Sequence, residues 1–143
     1  MTIDCYDAWD RLVQFELPDS GKLTPQFRWV LTNGHCHSFA QALLRLTSWP
    51  MVGRIKQGKV EHVFCQMPDG RLVDAEGSTK YPKESFDLDS GPGFRLLPYD
   101  FQFSAGDGWL KSVEEVLIPF AHERLEELKQ EDDETLHPTQ YPF

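Results

Sequence analysis

The sequence predicts an α+β fold in which a helix packs on a small antiparallel sheet, with further helices at the N-terminal and C-terminal ends. Three observations indicate this class. Apolar residues recur at helical spacing over residues 36–47, strand-like runs separated by turn residues fill residues 51–75, and a second helical stripe lies between residues 110 and 128. We expect one domain over residues 1–130, followed by an acidic, flexible tail over residues 131–143.

The N-terminal segment, residues 3–17, is expected to form the first helix. Asp4 is of a type that caps helices, and four apolar side chains fall near one helical face: Tyr6, Trp9, Val13 and Leu17. Residues 18–26 contain turn-forming Pro, Gly, Ser and Asp and are predicted as a loop. The apolar run over residues 27–31 is compatible with either a short strand or a helical turn.

The next helix is predicted to begin at residue 35 or 36 and to end at Thr47. Its apolar side chains recur on one face: Cys36, Ala40, Leu43 and Leu44. Pro50 ends the helix, because the residue before a proline avoids the helical region.

An antiparallel meander follows this helix. Strands are predicted over residues 51–55, 60–67 and 71–75, with turns at 57–59 and at the Pro-Asp-Gly sequence 68–70. Residues 94–98 are expected to form a short edge strand, since proline is tolerated at a sheet edge. A further helix is predicted from near residue 108, with Pro119 either kinking it or opening a new helix, and its charged positions are expected to face solvent.

Composition narrows the classes of function. The net charge of −9 argues against nucleic acid or anionic membrane as a partner, and leaves a merely solubilising surface or one that binds a basic protein partner. Three cysteines form no disulfide framework, so a reducing, cytoplasmic location is expected. The N-terminus has no signal-peptide pattern, and no run of apolar residues approaches the length of a membrane span.

Cys36 is the candidate nucleophile. A helix N-terminus offers unpaired N–H groups and a positive dipole end, which stabilise a thiolate and then the oxyanion formed when it attacks a carbonyl. Gly34, two residues before it, leaves room for close approach of a substrate. A small buried cysteine without chemistry is the alternative.

A thiolate nucleophile needs a base, and His62 is the candidate. It lies in an otherwise apolar strand, which makes a structural histidine the alternative. If residues 68–70 form the loop, Asp74 lies diagonally across from His62 on the same face and fixes the ring. Glu76 lies further along that face. A register shift of one residue would move Asp74 to the other face.

These segments resemble a known superfamily. Residues 34–43 (GHCHSFAQAL) are similar to the G-x-C-x-x-x-A motif that opens the catalytic helix of papain-like and transglutaminase-like cysteine enzymes. Residues 61–64 (EHVF) resemble their histidine strand, and residues 70–74 (GRLVD) resemble the strand that supplies the third catalytic residue. Residues 47–50 (TSWP) and 69–74 (DGRLVD) also resemble segments of short bacterial proteins.

The resemblance spans residues 33–77 and implies a Cys36–His62–Asp74 triad. The implied reaction is acyl transfer through a thioester, as amide or ester hydrolysis or as transamidation, with no cofactor. The substrate would be a protein, a peptide or a small acyl compound. Residues that could contact the substrate or the oxyanion are Asn33, Gly34, His37 and Glu76, with Gln26 and Trp29 as further oxyanion candidates.

Two other readings stay open from the sequence. One is a metal site, with potential ligands at His35, His37, His62, Cys65, Asp74 and Glu76. Against it, regular alternation turns Cys65 away from His62, and the chain has no C-x-x-C pair; no metal is expected. The other is an acidic inhibitor or immunity-type protein on the same fold, which would bind a basic site and carry out no chemistry.

Overall fold

The N-terminal segment is a β-hairpin and not the expected helix. The computed structural model describes residues 2–6, 9, 11–18, 21–79, 93–101 and 115–136. Strands β1 (Thr2–Tyr6) and β2 (Leu12–Glu16) pair antiparallel, and Ile3 lies opposite Phe15. Ile3 and Leu17 are buried, whereas Trp9, placed on the predicted helical face, is 76% exposed. Burial therefore follows the cross-strand pairs of a hairpin, and the helical spacing of apolar residues here is coincidental.

The apolar run after the loop is helical. Helix α1 (Pro25–Asn33) begins after Thr24, whose Oγ1 accepts the N–H of Phe27 at 3.2 Å, and Pro25 occupies the first turn, where no backbone N–H is needed. This settles the choice between a strand and a helix at residues 27–31, and it starts the helix inside the predicted loop. Phe27, Val30 and Leu31 supply its buried side.

Helix α2 (Cys36–Thr47) has the bounds that its apolar spacing predicts. It ends at Ser48, which takes the left-handed conformation (φ 63°) and donates its N–H to the carbonyl of Leu44 at 2.7 Å. The buried side chains include Phe39, Ala40, Ala42 and Leu43.

The sheet that follows is antiparallel throughout. Its strands are β3 (Met51–Lys56), β4 (Lys59–Gln66), β5 (Leu72–Val73), β6 (Ser78–Thr79) and β7 (Gly93–Leu96), in the spatial order β6-β5-β4-β3-β7. The predicted meander and the edge position of β7 are confirmed. The short strand β6 was not predicted.

The register of the β4–β5 hairpin agrees with the one inferred from its turn. Cys65 pairs with Val73 and Gln66 with Leu72, and the N–H of Met67 donates to the carbonyl of Arg71 at 2.8 Å, which leaves residues 68–70 as the loop. This register decides which side chains after β5 lie beside those of β4.

The C-terminal helix packs against α2. Helix α3 (Ile118–Leu136) has Pro119 in its first turn, and Leu117, Phe120, Ala121 and Leu128 are buried. The helix passes the expected boundary at residue 130 and includes the first residues of the proposed tail. Its expected start near residue 108 and residues 137–143 lie outside the described residues. Among the described helices, none is both long and apolar enough to cross a membrane.

Candidate thiol site

Cys36 is the first residue of α2 and is half-buried. The preceding cap residue, His35, makes no side-chain capping hydrogen bond to the helix. The N–H groups of the first turn of a helix have no acceptor within the helix, so the sulfur lies beside hydrogen-bond donors and the positive end of the helix dipole.

His62 and Asp74 form a buried pair. Nε2 of His62 lies 3.0 Å from Oδ2 of Asp74, a distance at which the ring N–H donates a hydrogen bond to the carboxylate. Their side chains are 5% and 16% exposed, so little water competes for this contact. The pair spans the β4–β5 hairpin on the diagonal that its register predicts.

Both oxygens of the Asp74 carboxylate are engaged. Oδ1 accepts the backbone N–H groups of Glu76 and Gly77, each at 2.9 Å, and the N–H of Asp74 donates to the carbonyl of Gly77 at 3.0 Å. Burial favours the neutral acid, but the hydrogen bonds from His62 and from these backbone groups outweigh it and lower the pKa of Asp74. The carboxylate is therefore ionised and held in one orientation.

The His62 ring also interacts with Cys36, and this interaction affects its pKa. Burial disfavours a charged ring, but hydrogen bonds with Asp74 and Cys36, together with their charges, outweigh this penalty and raise the pKa of His62 to about 9. Because Nε2 faces Asp74, Nδ1 is the nitrogen left for the thiol. The raised pKa favours a protonated ring beside the Asp74 carboxylate, and an interaction with Cys36 is among its causes, so His62 lies near both other residues of the sequence-based triad.

An aromatic side chain, Phe64, packs against the histidine. The Phe64 ring meets that of His62 edge to face, with 4.4 Å between centroids. Arg54, the cross-strand partner of His62, lies 5.8 Å from the Phe64 centroid and pairs with Glu61 at 2.6 Å. The guanidinium is therefore engaged elsewhere, and Phe64 shields the imidazolium from solvent on that side.

The other sequence candidates have different positions. His37 is buried, with its Nε2 3.0 Å from the amide nitrogen of Gln41 and its ring against Phe101. Gly34 ends α1 with φ −140°, and an added Cβ would meet only the carbonyl of Val30 at 3.8 Å, so no protein contact requires glycine there. The Glu76 side chain is exposed, and its contact with Asp74 is through the backbone.

The three proposed oxyanion side chains belong to helix α1, which precedes Cys36 in the chain. Asn33 is the last residue of α1, and its side chain lies outside the described residues. Gln26 is exposed in the first turn of α1, at the opposite end of that helix from Cys36. Trp29 packs against the hydrophobic core. The backbone N–H groups at the start of α2 are the donors nearest the sulfur in sequence.

Two polar residues near the site have structural contacts. Nε2–H of His35 donates to the carbonyl of Asp4 at 2.7 Å, which ties the N-terminal hairpin to the loop before Cys36. Cys65 is buried with its sulfur 3.1 Å from the carbonyl of Ala40, and burial raises the pKa of its thiol to about 12. Cys65 is therefore not an activated thiol. Within the described part of the chain, no group of three or more His, Cys, Asp or Glu side chains is arranged to hold a metal ion.

Two arginines that sequence reasoning did not select contact the segment after β5. Nε of Arg124 donates to the carbonyl of Asp74, and Nη1 of Arg28 donates to that of Ala75, both at 2.8 Å. Arg124 was expected on the solvated face of the C-terminal helix, but it is only 1% exposed. The available signal was its spacing from Phe120, Ala121 and Leu128, which places it on the buried stripe.

A cleft of about 300 Å³ is lined by Arg28, Glu76, Arg124, Glu127, Gln130 and Glu131, and none of the triad residues lines it. Comparison of the chain with protein-family models, with curated proteins and with solved structures gives no match in any of the three.

Proposed function

We propose that this protein is a thiol-dependent acyl-transfer enzyme of papain-like or transglutaminase-like type. The observation that carries the proposal is the buried hydrogen bond between the His62 ring and the Asp74 carboxylate, and it is supported by the interaction of the same ring with Cys36. In this assignment Cys36 is the nucleophile, His62 is the general base and acid, and Asp74 orients the ring.

The reaction begins with the Cys36 thiolate attacking the carbonyl carbon of an amide or ester. The electron pair of the carbonyl moves to oxygen, and the backbone N–H of Cys36 stabilises this oxyanion. His62 then gives its proton to the leaving amine or alcohol as the tetrahedral intermediate collapses to a thioester.

The second half returns the enzyme to its starting state. His62, now neutral, takes a proton from water or from an acceptor amine, which attacks the thioester carbonyl and releases Cys36 as thiolate. Water gives hydrolysis, and an amine gives transamidation. The buried Asp74 carboxylate stabilises the imidazolium each time it forms.

An activated ester tests the proposal without knowledge of the natural substrate. The full chain is mixed with p-nitrophenyl acetate, and p-nitrophenol release is followed while the protein is digested for mass spectrometry. We expect a burst of p-nitrophenol and an acetyl group on Cys36. The matched control is Cys65→Ala, which keeps both signals, whereas Cys36→Ala loses both. Adding hydroxylamine after the burst removes the acetyl group if Cys36 carries it as a thioester.

The net charge of −9 supports a second candidate, an acidic protein that binds a basic partner without chemistry. Folded protein that gives no burst and no acetyl group on Cys36 would favour this candidate over the enzyme. Its own test is salt-dependent binding of a basic protein partner.

A further inference from the structure

We propose that Arg124 and Arg28 form a clamp that positions Asp74 for its role beside His62. The proposal rests on the function proposed above and concerns how its third residue is held. Asp74 follows the end of β5 and opens the turn between β5 and β6, where its N–H donates to the carbonyl of Gly77. Its position depends on the contacts of the segment 74–77.

The polar groups of this segment form hydrogen bonds with two different sets of partners. On one side, the Asp74 carboxylate accepts the backbone N–H groups of Glu76 and Gly77 and receives His62. On the other side, the successive carbonyl groups of Asp74 and Ala75 each accept a guanidinium N–H at 2.8 Å. Hydrogen bonds from a charged donor are about twice as strong as those between neutral groups.

The two guanidinium groups come from different helices and share one carboxylate. Arg28 extends from α1 and Arg124 from α3, and both pair with Glu127. Glu127 therefore links the two arms of the clamp. Both helices pack in the hydrophobic core, so the segment after β5 is held by side chains from packed helices and not from a loop.

A purely structural role at the protein surface would not require Arg124 to be buried. Its neighbours on the inner side of α3 are apolar, and a guanidinium there loses its hydration. Nε is compensated by the carbonyl of Asp74 and Nη1 by Glu127 and Glu131, whereas Nη2 is buried without a hydrogen-bond partner. The best-made contact of this side chain is thus the one to the triad segment.

Four variants of the full chain test the clamp. Arg124→Gln and Arg28→Gln each remove one arm, and Arg124→Lys keeps a charged donor. Arg71→Gln is the matched control, because Arg71 also joins the hairpin to α3, through Asp132, but makes no contact with Asp74. The readouts are the NMR titration of the His62 ring, the alkylation rate of Cys36 at pH 6 and the melting temperature.

Removing an arm should let the Asp74 carboxylate move away from His62. We expect the pKa of His62 to fall from about 9 toward its ordinary value of about 6.5 in Arg124→Gln, with slower alkylation of Cys36 and partial recovery in Arg124→Lys. Arg71→Gln should lower the melting temperature while leaving the His62 titration unchanged. If Arg124→Gln does not fold, Arg28→Gln provides the test, because Arg28 is partly exposed. We expect the pKa of His62 to fall in that variant as well.

The clamp is overturned if the folded variant with one arm removed titrates like the wild type, or if Arg71→Gln shifts the His62 titration equally. Failure of the proposed function looks different. In that case Cys36 of the wild-type chain does not react rapidly, but the His62 titration still reports whether the arginines position Asp74.

Discussion

Oδ2 of Asp74 lies 3.0 Å from Nε2 of His62, while Oδ1 of the same carboxylate accepts the N–H groups of Glu76 and Gly77. The backbone bonds orient the carboxylate, and the carboxylate orients the ring. Since the ring in turn interacts with Cys36, we expect the short turn after β5 to influence the thiol through the histidine.

Neutralising Asp74 tests this relationship. Asp74→Asn should lower the pKa of His62 and slow the reaction of Cys36 with iodoacetamide at neutral pH, because the imidazolium loses its counter-charge. Turnover of an ester should fall by up to about 10⁴, the loss seen for an orienting aspartate in serine proteases. The control is Glu76→Gln, whose exposed side chain does not contact the ring. An unchanged alkylation profile in folded Asp74→Asn, with a shifted one in Glu76→Gln, would assign the role to Glu76.

His37 follows Cys36 directly, but the structure directs it elsewhere. Its ring contacts Gln41 and Phe101 within the body of the protein. We therefore expect His37→Asn to keep most of the alkylation rate of Cys36, with a loss of stability from the disturbed packing. Parallel rate measurements on His37→Asn and His62→Asn rank the two histidines, and a larger loss in His37→Asn would make His37 the base.

Protonation of His62 couples to folding. Its pKa is about 9 in the folded protein and about 6.5 in an unfolded chain. Below pH 6.5 both states carry the proton and the stabilisation is complete; as the pH rises to about 9 the unfolded state releases its proton first, so this stability is lost. Urea unfolding of the wild type should show this decline between pH 6.5 and 9. In His62→Gln the decline should be absent, and a decline of equal size there would assign it to other groups.

His35 has the opposite effect on the pH dependence of stability, and its effect appears at acidic pH. Burial lowers its pKa, although the hydrogen bond to the Asp4 carbonyl opposes this. The unfolded chain therefore takes up a proton below about pH 6.5 that the folded protein does not, and stability falls on acidification. The combined contribution of these two histidines to stability is therefore largest near pH 6.5.

The last turns of α3 belong to the folded body. Arg71 forms two hydrogen bonds to Asp132, at 2.9 and 3.1 Å, beyond the boundary expected at residue 130. Ending the chain at residue 130 removes Asp132 together with Glu131, which contacts Arg124, and the loss of the partly exposed Arg71–Asp132 pair alone should lower the free energy of unfolding by about 1 kcal/mol. Ending it at residue 136 keeps the pair and serves as the control. Urea titration compares them, and equal losses would show that the Arg71–Asp132 pair contributes nothing.

The parts that the sequence predicted well are those governed by local chemistry. The Pro-Asp-Gly turn set the β4–β5 register, and that register placed Asp74 beside His62. The helix predicted for the N-terminal segment was wrong because the apolar residues there fit both a helical and a strand spacing. Only the tertiary burial of Ile3 and Leu17 distinguishes the two. Arg124 was missed because its reason for being buried, the carbonyl of Asp74, is 50 residues away in the chain.

The central claim is that His62 activates Cys36, and the alkylation rate at pH 6 tests it most directly. A free thiol is less than about 1% ionised at this pH, so exposure alone gives a slow reaction. We predict that iodoacetamide labels wild-type Cys36 rapidly and well ahead of the buried Cys65, and that His62→Asn slows labelling to the rate of an ordinary exposed thiol. Equal Cys36 rates in the wild type and in folded His62→Asn would contradict the account.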